Sequence, residues 1–172
     1  MRKADWWAVT LLGLLMTTAS GPCVPVSAQV VDTPLSALER LVGGSWYIGE
    51  DSYQVFTWGV GRQSVKAQMY FITPESQTLV SEATYFYHPG RETLLGFGVA
   101  VDMGIDVFEY TSIRARGDTL ILDLSAFGPQ ATDEVLRETW TFLDDDRYEW
   151  VLWARGEDGT WARQMDGMFE RR

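Results

Sequence analysis

The sequence predicts an all-β fold: a single closed antiparallel up-and-down barrel of about ten strands, preceded by a short helix. Three observations predict it. Turn signals recur every 12 to 16 residues through the last hundred residues, the segments between them are loaded with aromatic and β-branched side chains, and a Gly44-Ser45-Trp46 step heads the series. Long strands joined by tight turns form a meander, and a flat meander of ten would expose two long edges. Closing the sheet removes both.

The turns are Thr73-Pro74-Glu75-Ser76, His88-Pro89-Gly90, Asp102-Met103-Gly104, Arg116-Gly117-Asp118, Gly128-Pro129, Asp144-Asp145-Asp146 and Glu157-Asp158-Gly159. Each combines residues that bend the backbone or cap it locally. Between them, strands are expected over Val65 to Ile72, Leu79 to Tyr87, Leu94 to Val101, Val107 to Ile113, Leu120 to Phe127, Val135 to Leu143, Tyr148 to Trp153 and Trp161 to Phe169. Strands around Trp46 and Phe56 complete the set. Ahead of them, Asp32-Thr33-Pro34 followed by Leu35, Leu38 and Leu41 has a capping residue, a first-turn proline and apolar spacing of three, which predicts one or two helical turns ending at Gly43-Gly44.

The first 28 residues have a different character. Arg2 and Lys3 precede an apolar run from Trp6 to Met16, and Val26-Ser27-Ala28 forms a small-x-small site, so residues 1–28 are expected to be a signal peptide and residues 29–172 the exported domain. The run is too short to span a bilayer, and no membrane span is expected in the mature chain. Cys23 offers an alternative lipoprotein anchor, but Pro22 directly before it fits such a site poorly. With Cys23 removed, the domain has no cysteine and its core carries the stability without disulfides. A net charge of −10 argues against nucleic acid and anionic membranes as partners.

Alternation assigns faces in the second half. Leu120, Leu122 and Leu124 share one face; Leu136, Glu138, Trp140 and Phe142 share another; Tyr148, Trp150, Leu152 and Ala154 continue it. The last strand is expected to send Trp161, Arg163, Met165, Gly167 and Phe169 inward. In the first half both faces are apolar and no orientation is fixed, although Gly96 and Gly98 share a face and leave room for an aromatic from the opposite wall.

The Gly44-Ser45-Trp46 step after a short helical segment, with Arg171 or Arg172 ending the last strand, resembles the lipocalin-like (calycin) superfamily. Within it the chain is more similar to exported bacterial DUF1579-like proteins than to true secreted lipocalins. The resemblance implies that Trp46 closes one end of the barrel, with Gly44 and Arg171 as its structural partners and the arginine over the indole face. A second relative, the nitrobindin-like haem barrel, needs an iron-binding histidine on a late strand. The single histidine, His88, lies in an early turn, so no haem or other cofactor is expected.

The remaining chemistry is sparse. One histidine and no mature cysteine leave no transition-metal site, and Asp144-Asp145-Asp146 lacks the spaced ligands of a calcium loop. No Gly-x-Ser-x-Gly elbow or phosphate-binding glycine loop occurs. Glu82, Glu109 and Glu138 lie mid-strand among apolar neighbours, where a carboxylate needs a partner or water. The leading expectation is a barrel that holds a small, mostly apolar molecule without catalysis. Trp140, Trp150, Met165 and Phe169 would form its wall, with Glu138 and Arg163 together as polar anchor and Glu82 as a further polar contact. Two alternatives remain open: an isomerase or hydrolase run by inward carboxylates such as Glu138 and Glu82, and a filled barrel serving as a protein-interaction module.

Overall fold

Ten antiparallel strands close on themselves in sequence order, because β1 (Ser45–Tyr47) pairs with both β2 (Ser52–Trp58) and β10 (Trp161–Arg171). A computed structural model describes residues 34–101, 104–129 and 134–172. The expected signal peptide, its cleavage site, Cys23 and the capping residues Asp32 and Thr33 lie outside the described residues. A single helical turn, α1 (Ser36–Glu39), leads into β1 (Ser45–Tyr47) and β2 (Ser52–Trp58). The meander continues through β3 (Ser64–Ile72), β4 (Gln77–His88), β5 (Thr93–Ala100), β6 (Val107–Arg116) and β7 (Thr119–Phe127). It ends with β8 (Glu134–Phe142), β9 (Arg147–Arg155) and β10 (Trp161–Arg171).

The hydrophobic core fills the end of the barrel that α1 covers. Leu35, Leu38 and Leu41, spaced by three, are all buried there against Trp46, Phe56, Tyr148 and Phe142. Trp46 is fully buried, and its Nε1 donates to the Leu41 carbonyl at 2.8 Å. The Arg171 guanidinium lies 4.3 Å over the indole, a cation–π contact of roughly 0.5 to 2 kcal/mol. The same guanidinium donates to the Arg40 carbonyl and, at 3.0 Å, to that of Asp145. Its Nε is 3.4 Å from an Asp146 oxygen, an ion pair without hydrogen-bond geometry. Arg172 instead covers Tyr47 on the outer face, 4.5 Å from its ring. The resemblance left a choice between two arginines, and the fold assigns Arg171 to the plug.

Gly44 explains why the plug needs a glycine. Its φ is +70°, and a Cβ placed there would lie 2.9 Å from Cγ of Arg171. The arginine therefore crosses to Trp46 through space that any other residue would fill.

Inward alternation holds on β7, β8 and β9, where Leu122, Leu136, Trp140 and Tyr148 are buried. On β10 it breaks. Arg163 pairs with Trp153 but Met165 pairs with Leu152, so Gln164 is an extra residue that forms a β-bulge. Met165, Gly167 and Phe169 face the lumen as expected, whereas Trp161 and Arg163 are turned to the outside. Similar insertions fall at Val80 on β4 and Thr111 on β6.

Candidate functional site

A cavity of about 320 Å³ occupies the barrel on the side away from the Trp46 plug. Its walls include Ala67, Met69, Val80, Ala83, Phe108, Trp140, Trp150 and Phe169, and the exposed Phe71 and Met165 form its rim. The lumen is thus not packed solid by its aromatic residues. Its floor is an aromatic column. Tyr148 stacks on Phe169 with centroids 4.8 Å apart, meets Trp46 at 5.0 Å below it and Trp140 at 5.8 Å beside it.

One buried carboxyl interrupts this apolar surface. Glu138, 8 % exposed, sits between Leu136 and Trp140 on the inner face of β8. Its Oε2 accepts hydrogen bonds from Trp140 Nε1 at 2.8 Å and Trp150 Nε1 at 3.1 Å, and Oε1 accepts a longer one of 3.4 Å from the Tyr110 hydroxyl. The indoles come from adjacent strands because Trp140 and Trp150 are register partners, while Glu138 lies two residues before Trp140 on the same face. Burial raises the Glu138 pKa above its ordinary value of 4.5, and the three donors draw it back only in part. Burial likewise raises Tyr85, Tyr110 and Tyr148, which stay neutral phenols.

Gly96 makes the Tyr110 contact possible. It lies opposite Tyr85 on β4 and Tyr110 on β6, and a Cβ on it would sit 2.6 Å from the Tyr85 ring and 3.1 Å from that of Tyr110. The two tyrosines meet edge-on at 5.1 Å across it. The aromatics that use this glycine therefore come from neighbouring strands, not from the opposite wall. Gly98 faces Ala83 in the same way.

Of the residues expected to bind a ligand, Glu138, Trp140, Trp150, Met165 and Phe169 are brought together around the cavity. Arg163 is not among them. The Gln164 bulge places it outside, where it pairs with Glu149 at 3.0 Å and Asp166 at 3.2 Å, and the expected Glu138–Arg163 anchor does not form. Glu82 borders the cavity but alternates with the inward Ala83 and Tyr85, so its side chain turns out and accepts from Gln68 Nε2 at 2.7 Å. Glu109 is exposed opposite Phe97 and Ser125. A pair of inward glutamates, as acid–base catalysis would use, is therefore absent among the described residues.

Other expected features resolve at the surface. Asp144 pairs with Arg147 at 2.6 Å, Asp145 with Arg40 at 3.7 Å and Asp146 with Arg171, so the acidic run neutralises basic residues around the plug. No cluster of three metal-ligating residues occurs among the described residues. His88 ends β4 at the turn into β5, away from the cavity. Tyr110, Tyr85 and Gln54 are cavity residues that alternation did not single out. The one signal pointing to the tyrosines was the glycine pair on β5, which marks a strand that accommodates large neighbours.

No protein-family model and no curated protein matches the chain. Among solved structures, Rv2717c from M. tuberculosis is similar, with a TM-score of 0.50 and 18 % identity over 81 % of this chain and 97 % of that one. EF1p2_mFAP2b, solved bound to DFHBI, aligns over 81 % of this chain and all of its own at 15 % identity, with a TM-score of 0.33. The second match is too remote to bear on function, and the first concerns the fold alone.

Proposed function

We propose that this protein binds a small, largely apolar molecule in the lumen of its barrel. The observation that carries the proposal is the cavity of about 320 Å³, with apolar and aromatic walls and one buried carboxyl among them. That combination of volume, apolar lining and few polar groups is typical of small-molecule sites. Trp140, Trp150, Phe169 and Met165 serve as the contact surface, and Glu138 as the orienting polar group.

The test uses the protein's own fluorescence. Trp140 and Trp150 both line the cavity and both donate to Glu138, so an occupant alters their surroundings directly. Titration with a neutral lipophilic dye and with medium-chain alcohols is expected to shift or quench tryptophan emission saturably, and replacing both residues by Phe is expected to remove the response. An emission spectrum that stays constant with every probe would end the proposal.

A further inference from the structure

The next step rests on the lumen-binding reading and concerns the charge of the occupant. The cavity holds an acid without a counter-charge. Among its described lining residues there is no Lys, Arg or His, and the one arginine expected to reach it lies outside the barrel in an ion pair of its own. Three neutral donors contact Glu138: both indoles share Oε2, and Oε1 has only the 3.4 Å contact from Tyr110. A carboxylate offers about four acceptor positions, so Oε1 retains capacity for another donor. Tyr110, Trp140 and Trp150 all contact the carboxyl, and Tyr85 meets Trp140 edge-on with ring centroids 6.2 Å apart.

Each class of polar ligand group fares differently here. A ligand carboxylate or phosphate would place a like charge against Glu138 with no cation to offset it. A ketone or ester can accept from the protonated acid but meets only lone pairs once Glu138 is ionised. An ammonium supplies the absent positive charge, donates to Oε1, and is attracted by the aromatic rings around it. A net charge of −10 favours the approach of cations as well.

We propose that the lumen accepts a lipophilic amine, its ammonium held by Glu138 and its hydrocarbon or aryl part lying along Trp140, Trp150 and Phe169 toward Met165 at the rim. Such binding is linked to pH. The titratable groups facing Glu138 are Tyr110, Tyr85 and Tyr148, all kept neutral by burial, so among the protein's groups Glu138 sets the profile at every pH where the ligand is still an ammonium. Burial favours the protonated acid in the empty barrel, and an amine must displace that proton. Amine affinity therefore rises with pH until the folded protein has released it.

Calorimetric titration of the full chain at neutral pH with 4-phenylbutylamine, 4-phenylbutan-1-ol and 4-phenylbutyrate tests this with one shape and three charges. The amine is expected to bind at least about tenfold more tightly than the alcohol, the scale of one desolvated charge pair, with the carboxylate weakest. Glu138→Gln is expected to abolish the amine's advantage over the alcohol. If the alcohol equals or exceeds the amine in the wild-type protein, or if the advantage survives in Glu138→Gln, the amine inference is overturned and lumen binding stands. If none of the three binds and the neutral dye also gives no response, both fall. The wild-type ranking decides by itself should Glu138→Gln fail to fold.

Discussion

Gly44 and Gly49 share a backbone conformation, φ +70° and +71°, but not their surroundings: a Cβ at Gly44 would meet Arg171, whereas one at Gly49 would meet nothing within 4 Å. The pair separates two effects that a single glycine confounds. Gly49→Ala is expected to cost about 1 kcal/mol, the price of a left-handed backbone alone. Gly44→Ala carries that term and an added overpacking cost of about 1 to 2 kcal/mol, because Arg171 cannot withdraw without leaving the Trp46 ring and the carbonyls of Arg40 and Asp145. Urea unfolding measures both, and equal losses would mean that the arginine stem yields freely. This part of the molecule was legible in the sequence because it is local: a glycine, an indole two residues later and a terminal arginine. The buried status of Glu138 was legible for a similar reason, since Leu136, Trp140 and Phe142 flank it in strict alternation.

At the level of the strand, one inserted residue decides what the lumen contains. In Trp161–Arg171 the apolar residues Trp161 and Met165 are four apart, so the segment reads as unbroken alternation. Gln164 is an unpaired insertion, and everything before it changes face. Alternation alone cannot reveal this, because an outward Trp161 still finds cover: the Arg137 guanidinium lies 4.3 Å from its ring. The Val80 and Thr111 insertions had the same effect on the first half, where apolar groups on both faces left Tyr85 and Tyr110 unassigned. The consequence for Arg163 is measurable. Its pairs with Glu149 and Asp166 are half exposed, so Arg163→Ala is expected to change stability by no more than about 0.5 kcal/mol. Dye affinity is expected to be unchanged. A large loss of affinity in that variant would return Arg163 to the binding site.

Across the whole barrel, two kinds of carboxyl act on stability in opposite directions. Asp123 bridges β6, β7 and β8 on the outer face, within 2.6 Å of both Arg114 and Arg137. Partial burial works to raise its pKa, but the two guanidiniums outweigh it and hold the group below its ordinary value of 3.8, so its contribution is present above that value and is lost as pH falls through the lower folded one. Glu138 behaves in reverse. Below 4.5 both the folded and unfolded chains keep its proton, and it imposes no penalty. As pH rises, the unfolded chain ionises first while the buried acid holds on, so stability declines until the folded pKa is passed and then levels off. Gln in its place is isosteric, accepts from both indoles through one oxygen and never ionises. Melting curves of wild-type and Glu138→Gln protein are therefore expected to lie close together near pH 4 and to separate toward neutral pH, the variant gaining roughly 3 °C for each kcal/mol of relieved burial. Parallel curves across that window would mean that Glu138 is not buried as an uncompensated acid, and would remove the physical basis for an ammonium as its partner.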